Sequence, residues 1–194
     1  MAEAVLLLTL YHVLLFRQCY GGDPYHLAGG EWLEQGFPSW WHLGRFKLWQ
    51  RPVDPYYYPD FDSLPFLCSY YPTHRLTARW AQCLNLDQAW VLFLATMASH
   101  YWLCSVSVYI LATRMGLAPL VAGFAAVTLS SVGYALKPNA SITFTACWAM
   151  TYFWACLAQS WWGSAISLGL MLLAGYWPLA WIALPVGGWL WLSS

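Results

Sequence analysis

Long apolar runs with brief polar punctuation make up most of this chain, and a single polar segment interrupts them. Ala4 to Phe16 is apolar apart from Thr9, Tyr11 and His12. Ala89 to Thr113 and Met115 to Leu136 carry no formal charge and are parted by Arg114 alone, and Ala140 to Gln159 follows Lys137-Pro138-Asn139. Crossing hydrocarbon as a helix takes ~20 apolar residues, a length these three later runs reach. The first run is shorter, but no basic residue precedes it and no A-x-A-like site follows before Arg17-Gln18-Cys19-Tyr20. The pattern therefore predicts a retained helix over Ala2 to Tyr20 in preference to a cleaved signal peptide. Arg114-Met115-Gly116 is a turn tight enough to predict an antiparallel helical hairpin. Trp161-Trp162-Gly163 reads as an interfacial turn. The run Ser164 to Leu192 then carries Gly175, Pro178, Pro185 and Gly187-Gly188. One kinked helix and two short ones both fit that run, and a break near Gly175-Tyr176-Trp177-Pro178 is preferred. The expected architecture is an all-α polytopic membrane protein of five to six transmembrane helices. It divides into a first helix (1–20), a loop domain between helices 1 and 2 (21–87) and a helical bundle (88–194).

The interrupting segment, Gly21 to Asp87, holds Asp23, Glu31, Glu34, Asp54, Asp60, Asp62, Asp87, Arg45, Lys47, Arg51, Arg75 and Arg79, twelve of the sixteen formally charged residues. It is dense in Gly and Pro, which break regular structure. Within it His26 to Gln35 and Leu64 to Tyr71 are the expected short helices. Its rings, Trp40-Trp41, Trp49, Tyr56-Tyr57-Tyr58, Phe61, Phe66 and Tyr70-Tyr71, suit a surface at headgroup depth; stacking on a sugar or quinone ring is the sharper alternative. Arg114 in a very short loop places that turn on the cytoplasmic side and so the 21–87 loop outside, while the charges of the loop itself weigh little because it is long.

Composition sharpens this picture. Hydrophobic residues are 60% and charged residues 8%, against roughly 25% charged in soluble domains. The net charge is zero, with signs interleaved, so nothing here has the basic footprint of a nucleic-acid binder. Six cysteines form no C-x-x-C pair and no zinc spacing with histidine. Cys104, Cys147 and Cys156 lie in apolar runs and read as small buried hydrophobes, while Cys68 and Cys83 are left open between free thiols and a loop disulfide.

The chemistry-bearing candidates lie in and beside the loop. Arg75 and Arg79 are four apart and would share a face on a helix leading into the second span, as a phosphate clamp or as snorkelling interfacial cations. Asp60-Phe61-Asp62 has the look of a D-x-D pair, two hard oxygen donors able to hold Mg²⁺ against a phosphate, with a solvated acidic turn as the plainer reading. His100 sits at mid-span, where an ionisable group is a functional candidate by default. Its neutral ring could ligate a haem iron or a chlorophyll-type magnesium; a hydrogen-bonded structural histidine is the alternative, and His12 is the other histidine in an expected span.

The order of these features resembles the GT-C membrane glycosyltransferases, and more closely their YfhO-like bacterial members. Gly22-Asp23 looks like the Gly-Asp motif after that family's first helix, Pro38-Ser39-Trp40 is similar to its Pro-x-Trp element, and Pro55 to Pro72 to its Pro- and Tyr-rich segment. The hairpin Tyr109 to Pro119 with Ser131-Val132-Gly133-Tyr134 resembles its second and third helices, and Leu173-Ala174-Gly175-Tyr176-Trp177-Pro178 its helix break. The resemblance spans most of this chain and the N-terminal half of the family, which implies a truncated scaffold able to outlive the reaction. It implies a bacterial inner-membrane protein with 21–87 extracytoplasmic, transferring a sugar from a polyprenyl-phosphate donor. Asp23 would be the general base, with Arg75, Arg79 and Trp40 at the substrate. The alternative from a different class is a non-catalytic accessory subunit of a larger respiratory or photosynthetic membrane complex, in contact with lipids, pigments or other subunits.

Overall fold

The computed structural model describes residues 2–20, 37–45, 71–136 and 140–194, and every element among them is a helix. In chain order these are α1 (Ala2–Tyr20), α2 (Phe37–Leu43), α3 (Pro72–Ala81), α4 (Leu86–Arg114), α5 (Pro119–Leu136), α6 (Ala140–Leu157), α7 (Trp161–Ala174) and α8 (Trp177–Ser193). The expected helix over 26–35 lies outside the described residues, as does the one over 64–71 except for Tyr71, which is extended and stands at the N-cap of α3.

The longest element is the axis of the fold. α4 begins in a reciprocal capping box: the Gln88 amide donates to Asn85 Oδ1 at 2.8 Å and the Asn85 amide to Gln88 Oε1 at 3.4 Å, which satisfies two donors that a helix start otherwise orphans. Its C-terminus closes on itself, the Leu117 amide donating to the Ala112 carbonyl in the six-to-one pattern of a Schellman end. At 29 residues it is about 43 Å long, and it is the one helix among the described residues long and apolar enough by itself to cross a membrane.

Six helices run alternately along this axis. The first half of α1 packs against the α4–α5 hairpin through Leu8, Val106, Tyr109, Ala112, Ala122 and Ala126, while Leu15 reaches the cluster around Ala98 and Tyr101. α6 descends beside the second half of α4: Thr143 Oγ1 donates to Tyr101 Oη at 3.1 Å, Ser107 and Thr151 share a hydrogen bond at 2.9 Å, and the Arg114 guanidinium lies 5.9 Å from the Trp154 ring centre. α7 and α8 then form a second hairpin laid on α6. Cys156 meets Ser164 near one end, the Tyr176 amide donates to Thr145 Oγ1 at 3.1 Å near the other, and α8 returns past Ala149, Tyr152 and Cys156 until Trp191 meets Trp161 at 4.7 Å. The expected break near Gly175 is thus a full reversal, with Gly175 at φ +90°, a conformation that glycine adopts without the Cβ penalty.

One expected turn falls elsewhere. Trp161-Trp162-Gly163 is the first turn of α7, because the Ser160 side chain caps it by accepting from the Gly163 amide at 3.2 Å. The reversal is at Ala158-Gln159-Ser160, where Gln159 takes φ +52° and the Ser160 amide donates to the Ala155 carbonyl. A serine N-cap was the signal available in the sequence, and the adjacent tryptophan pair obscured it.

The first half of α4 extends past the six-helix bundle and carries α2 and α3. α3 folds back along it, from Tyr71 beside His100 to the turn at Gln82–Asn85. Trp40, Tyr71, Ala78 and Ala81 share one core with Ala89, Phe93, Leu94, Met97 and Phe144. The described part of segment 21–87 and the helix after it are therefore built on common apolar contacts. Burial of its larger side chains, such as Phe93, Leu94 and Met97, contributes about 1.5–3 kcal/mol each.

Candidate functional site

Buried polar chemistry collects where α3 meets α4 and α6. Pro72 opens α3, a favoured first helical residue since its missing N–H would be unpaired there anyway. This start puts Tyr71, His74 and Arg75 on the face turned into the bundle, at 0%, 5% and 4% exposure. His100 enters from α4 and Phe144 and Trp148 from α6.

The hydrogen-bond directions follow from the fixed donors and acceptors. His100 Nδ1 is 2.7 Å from the Thr96 carbonyl, which can only accept, so the neutral ring carries its proton there and leaves a lone pair on Nε2. Nε2 therefore accepts from the Tyr71 hydroxyl at 2.6 Å, and the Tyr71 oxygen accepts from Trp148 Nε1–H at 2.7 Å. The chain runs one way, Trp148 to Tyr71 to His100 to Thr96, and ties three elements together. Phe144 is the hub of the rings around it, with centroids 4.3 Å from His100, 4.8 Å from Tyr71 and 5.2 Å from His74. One turn along α4 the pattern repeats: His12 Nδ1 donates to the Leu8 carbonyl at 2.8 Å, and Ser105 Oγ meets Nε2 at 3.1 Å.

His74 differs from both. Its Nδ1 is buried without a hydrogen-bond partner. Burial, reinforced by the nearby His100, pushes its pKa down to about 3, since a charge there would be neither solvated nor paired. The unfolded chain titrates this ring near 6.5, so His74 contributes stability that is complete above that pH. The contribution is lost as pH falls from 6.5 towards 3, at about 1.4 kcal/mol per unit. We expect the thermal midpoint to drop on acidification from pH 7 to pH 4 and the drop to shrink in His74→Phe; identical pH profiles for the two proteins would refute this assignment.

The expected site residues are distributed unevenly over this geometry. Arg75 is part of the junction. Arg79 is exposed on the outer face of α3, so burial separates the two arginines that spacing suggested as one clamp. Trp40 is fully buried, packed on Phe37 and Phe93, with Nε1 donating to the His74 carbonyl at 3.0 Å; its ring has no free face for a sugar and instead anchors α3. Both nitrogens of His100 are committed, to Thr96 and Tyr71, and those of His12 to Leu8 and Ser105. This is the hydrogen-bonded alternative for His100, and it leaves no lone pair for a haem iron or a chlorophyll magnesium. Asp23, Asp60, Asp62 and Cys68 lie outside the described residues. Among those described, no cluster of three or more His, Cys, Asp or Glu side chains could hold a metal ion, and Cys83 is a free, exposed thiol.

Sequence reasoning missed His74 and Trp148, and read Tyr71 only as one of the loop's interfacial or stacking rings. Only their residue types advertised them, because Tyr71 meets His100 and Trp148 across 29 and 77 residues of chain. No family model matches the chain, and no curated protein or solved structure is similar to it.

Proposed function

We propose that the chain is a multi-pass membrane protein laid out like the N-terminal half of a GT-C, YfhO-like glycosyltransferase, and that the α3–α4–α6 junction receives the phosphate of a polyprenyl-phosphate sugar. The observation that carries this reading is the buried His74-Arg75 pair where α3 meets α4 and α6. A guanidinium is the side chain best shaped for a phosphate, and an ionisable group at membrane depth marks a substrate path more often than a packing site.

The rest of the molecule supports a membrane setting. Leu120, Phe124, Trp161, Trp162, Trp181, Ile182, Trp189 and Leu192 are exposed on the outside of α5, α7 and α8, far more apolar surface than water tolerates on a monomer. Trp161, Trp162 and Trp189 gather at one end of the α7–α8 hairpin and Trp177 and Trp181 towards the other, as in aromatic belts. On this reading α4 crosses the membrane with α1, α5, α6 and α8, of 17 to 19 residues each, packed as further spans, while α7, at 14 residues, reaches only part of the way. The Arg114 turn is cytoplasmic and the α3 end is extracytoplasmic in a bacterial inner membrane. Asp23 is then the base for the acceptor hydroxyl, with Mg²⁺ at Asp60 and Asp62 if a metal serves the phosphate.

Purified full-length protein should bind a short-chain polyprenyl phosphate, and Arg75→Ala should weaken that binding by roughly tenfold or more, the worth of a charge-assisted hydrogen bond. Asp23→Asn should keep binding and lose transfer. Failure of the wild-type protein to bind, or equal binding by Arg75→Ala, removes the reading. The second reading, an accessory subunit of a larger membrane complex, is favoured by the same tryptophan-rich exterior of α7 and α8, which suits another chain as well as lipid. Stoichiometric co-purification with a large assembly in mild detergent would establish it in place of the enzyme.

A further inference from the structure

We infer that Cys104 of α4 and Cys147 of α6 are a dithiol pair poised to close into a disulfide that locks the two helices together, with an apolar disulfide as the oxidant. Both are free thiols. Two hydrogen bonds set the register of the helices on either side of them. Thr143 Oγ1 donates to Tyr101 Oη at 3.1 Å, and Ser107 Oγ meets Thr151 Oγ1 at 2.9 Å. Cys104 is midway between Tyr101 and Ser107, and Cys147 is midway between Thr143 and Thr151. Steps of three or four residues return to one helix face, and the two bonds make α4 and α6 run in the same direction, so the two cysteines are level and turned to the same interface. Cys104 lies within electrostatic reach of the Tyr101 hydroxyl, which α6 contacts, and of the Cys147 thiol itself.

The separation of the helices agrees. Ser, Thr and Cys all carry their heteroatom one bond beyond Cβ, so backbones close enough for Ser107 and Thr151 to share a hydrogen bond bring two sulfurs one turn away into contact range. Such backbones approach the Cα separation of about 4.4–6.8 Å that a disulfide spans. Cys147 is fully buried and Cys104 half-buried, which orders the exchange. The Cys104 sulfur attacks the S–S bond of the oxidant, a mixed disulfide forms, and one thiol leaves with the Cys104 proton. The Cys147 sulfur then attacks the Cys104 sulfur, the Cys104–Cys147 bond forms as the mixed disulfide breaks, and a second thiol leaves with the Cys147 proton. The protein loses two electrons and two protons, and the oxidant is reduced to two thiols. The class of oxidant rests on the membrane reading above, which puts both sulfurs inside spans; the pairing does not depend on it.

Full-length protein with Cys19, Cys68, Cys83 and Cys156 replaced by alanine tests this in phosphatidylcholine vesicles. Two reagents are compared: dipyridyl disulfide, which partitions into lipid, and dithiobis(nitrobenzoate), whose carboxylates keep it in water. The dipyridyl reagent should release two thiopyridones per chain and leave a protein two hydrogens lighter, without adduct and unreactive to maleimide until reduced. Closure should raise the thermal midpoint by roughly 5–10 °C, since the bond closes a long loop. Cys147→Ser should stop at one release and keep a pyridyl adduct; Cys104→Ser, which leaves only the buried sulfur, should react several-fold more slowly. No release, or two adducts retained on one chain, overturns the pairing and leaves the membrane reading standing. A midpoint that falls on closure also overturns it, because the helices would have to leave their places to bridge the sulfurs. Closure at equal rates by both reagents overturns the apolar oxidant, while the pairing stands.

Discussion

Tyr71→Phe should destabilise the protein by about 2–4 kcal/mol, although it deletes a single oxygen. That oxygen ends one hydrogen bond and starts another: it accepts from Trp148 Nε1–H and donates to His100 Nε2. Its loss strands two buried groups at once, each costing about 1–3 kcal/mol when left unmade. The bonds bridge the start of α3, α4 and α6, so the change should also loosen α3. Trp148→Phe, which removes only one donor and leaves Tyr71 bonded to His100, should cost less, about 1 kcal/mol. For a chain of this size the Tyr71 effect corresponds to a midpoint shift of roughly 5–15 °C. A shift no larger for Tyr71→Phe than for Trp148→Phe would show that the two bonds do not act through the phenol.

The second large effect pits two neighbouring glycines against each other. A Cβ on Gly187 would run into the Tyr152 ring, meeting Cε1 and lying 2.6 Å from Cζ. That ring is buried between α6 and α8 beside Cys156 and Leu190. Gly187→Ala should therefore part the two helices and cost about 2–4 kcal/mol, the range of core overpacking. At Gly188 an added Cβ meets nothing within 4 Å, so Gly188→Ala should gain up to about 1 kcal/mol from the better helix propensity of alanine. Opposite signs in thermal unfolding are the expected outcome; the same sign for both would mean that α8 does not lie on Tyr152. Trimming the ring, as Tyr152→Leu in the Gly187→Ala background, should recover part of the loss.

The apolar runs declared the long helices well. α1 matches its expected bounds, and α4, α5 and α6 begin or end within a few residues of the expected spans. The reason is that a helix longer than three turns needs only an uninterrupted stretch and a punctuating charge or proline at each end, both local properties. The break at Gly175 was legible for the same reason. α2 and α3 were harder, since both are short enough that tertiary packing, through Trp40 and the buried face of α3, is what holds them.

The candidate site was legible in its location and not in its members. Charge segregation showed where the polar segment meets the apolar helices, and His100 and Arg75 were marked by being ionisable there. Whether each is free, buried or committed depends on what lies across from it. His100 has its two nitrogens taken by one residue a turn away and another from across the fold, Trp40 serves the core, and Arg79 is exposed where Arg75 is buried.

Taken alone, the order of apolar and charged residues determined that this chain is a set of long helices with one polar insertion, because hydrophobic length and helix punctuation act over neighbouring residues. The tertiary structure alone decided that α7 and α8 are a hairpin on α6, that Tyr71 joins Trp148 to His100, and that His74 is buried with an open ring nitrogen. Those are contacts between residues far apart in the chain, and a hydrogen bond or a ring packing exists only once the fold has brought both partners together.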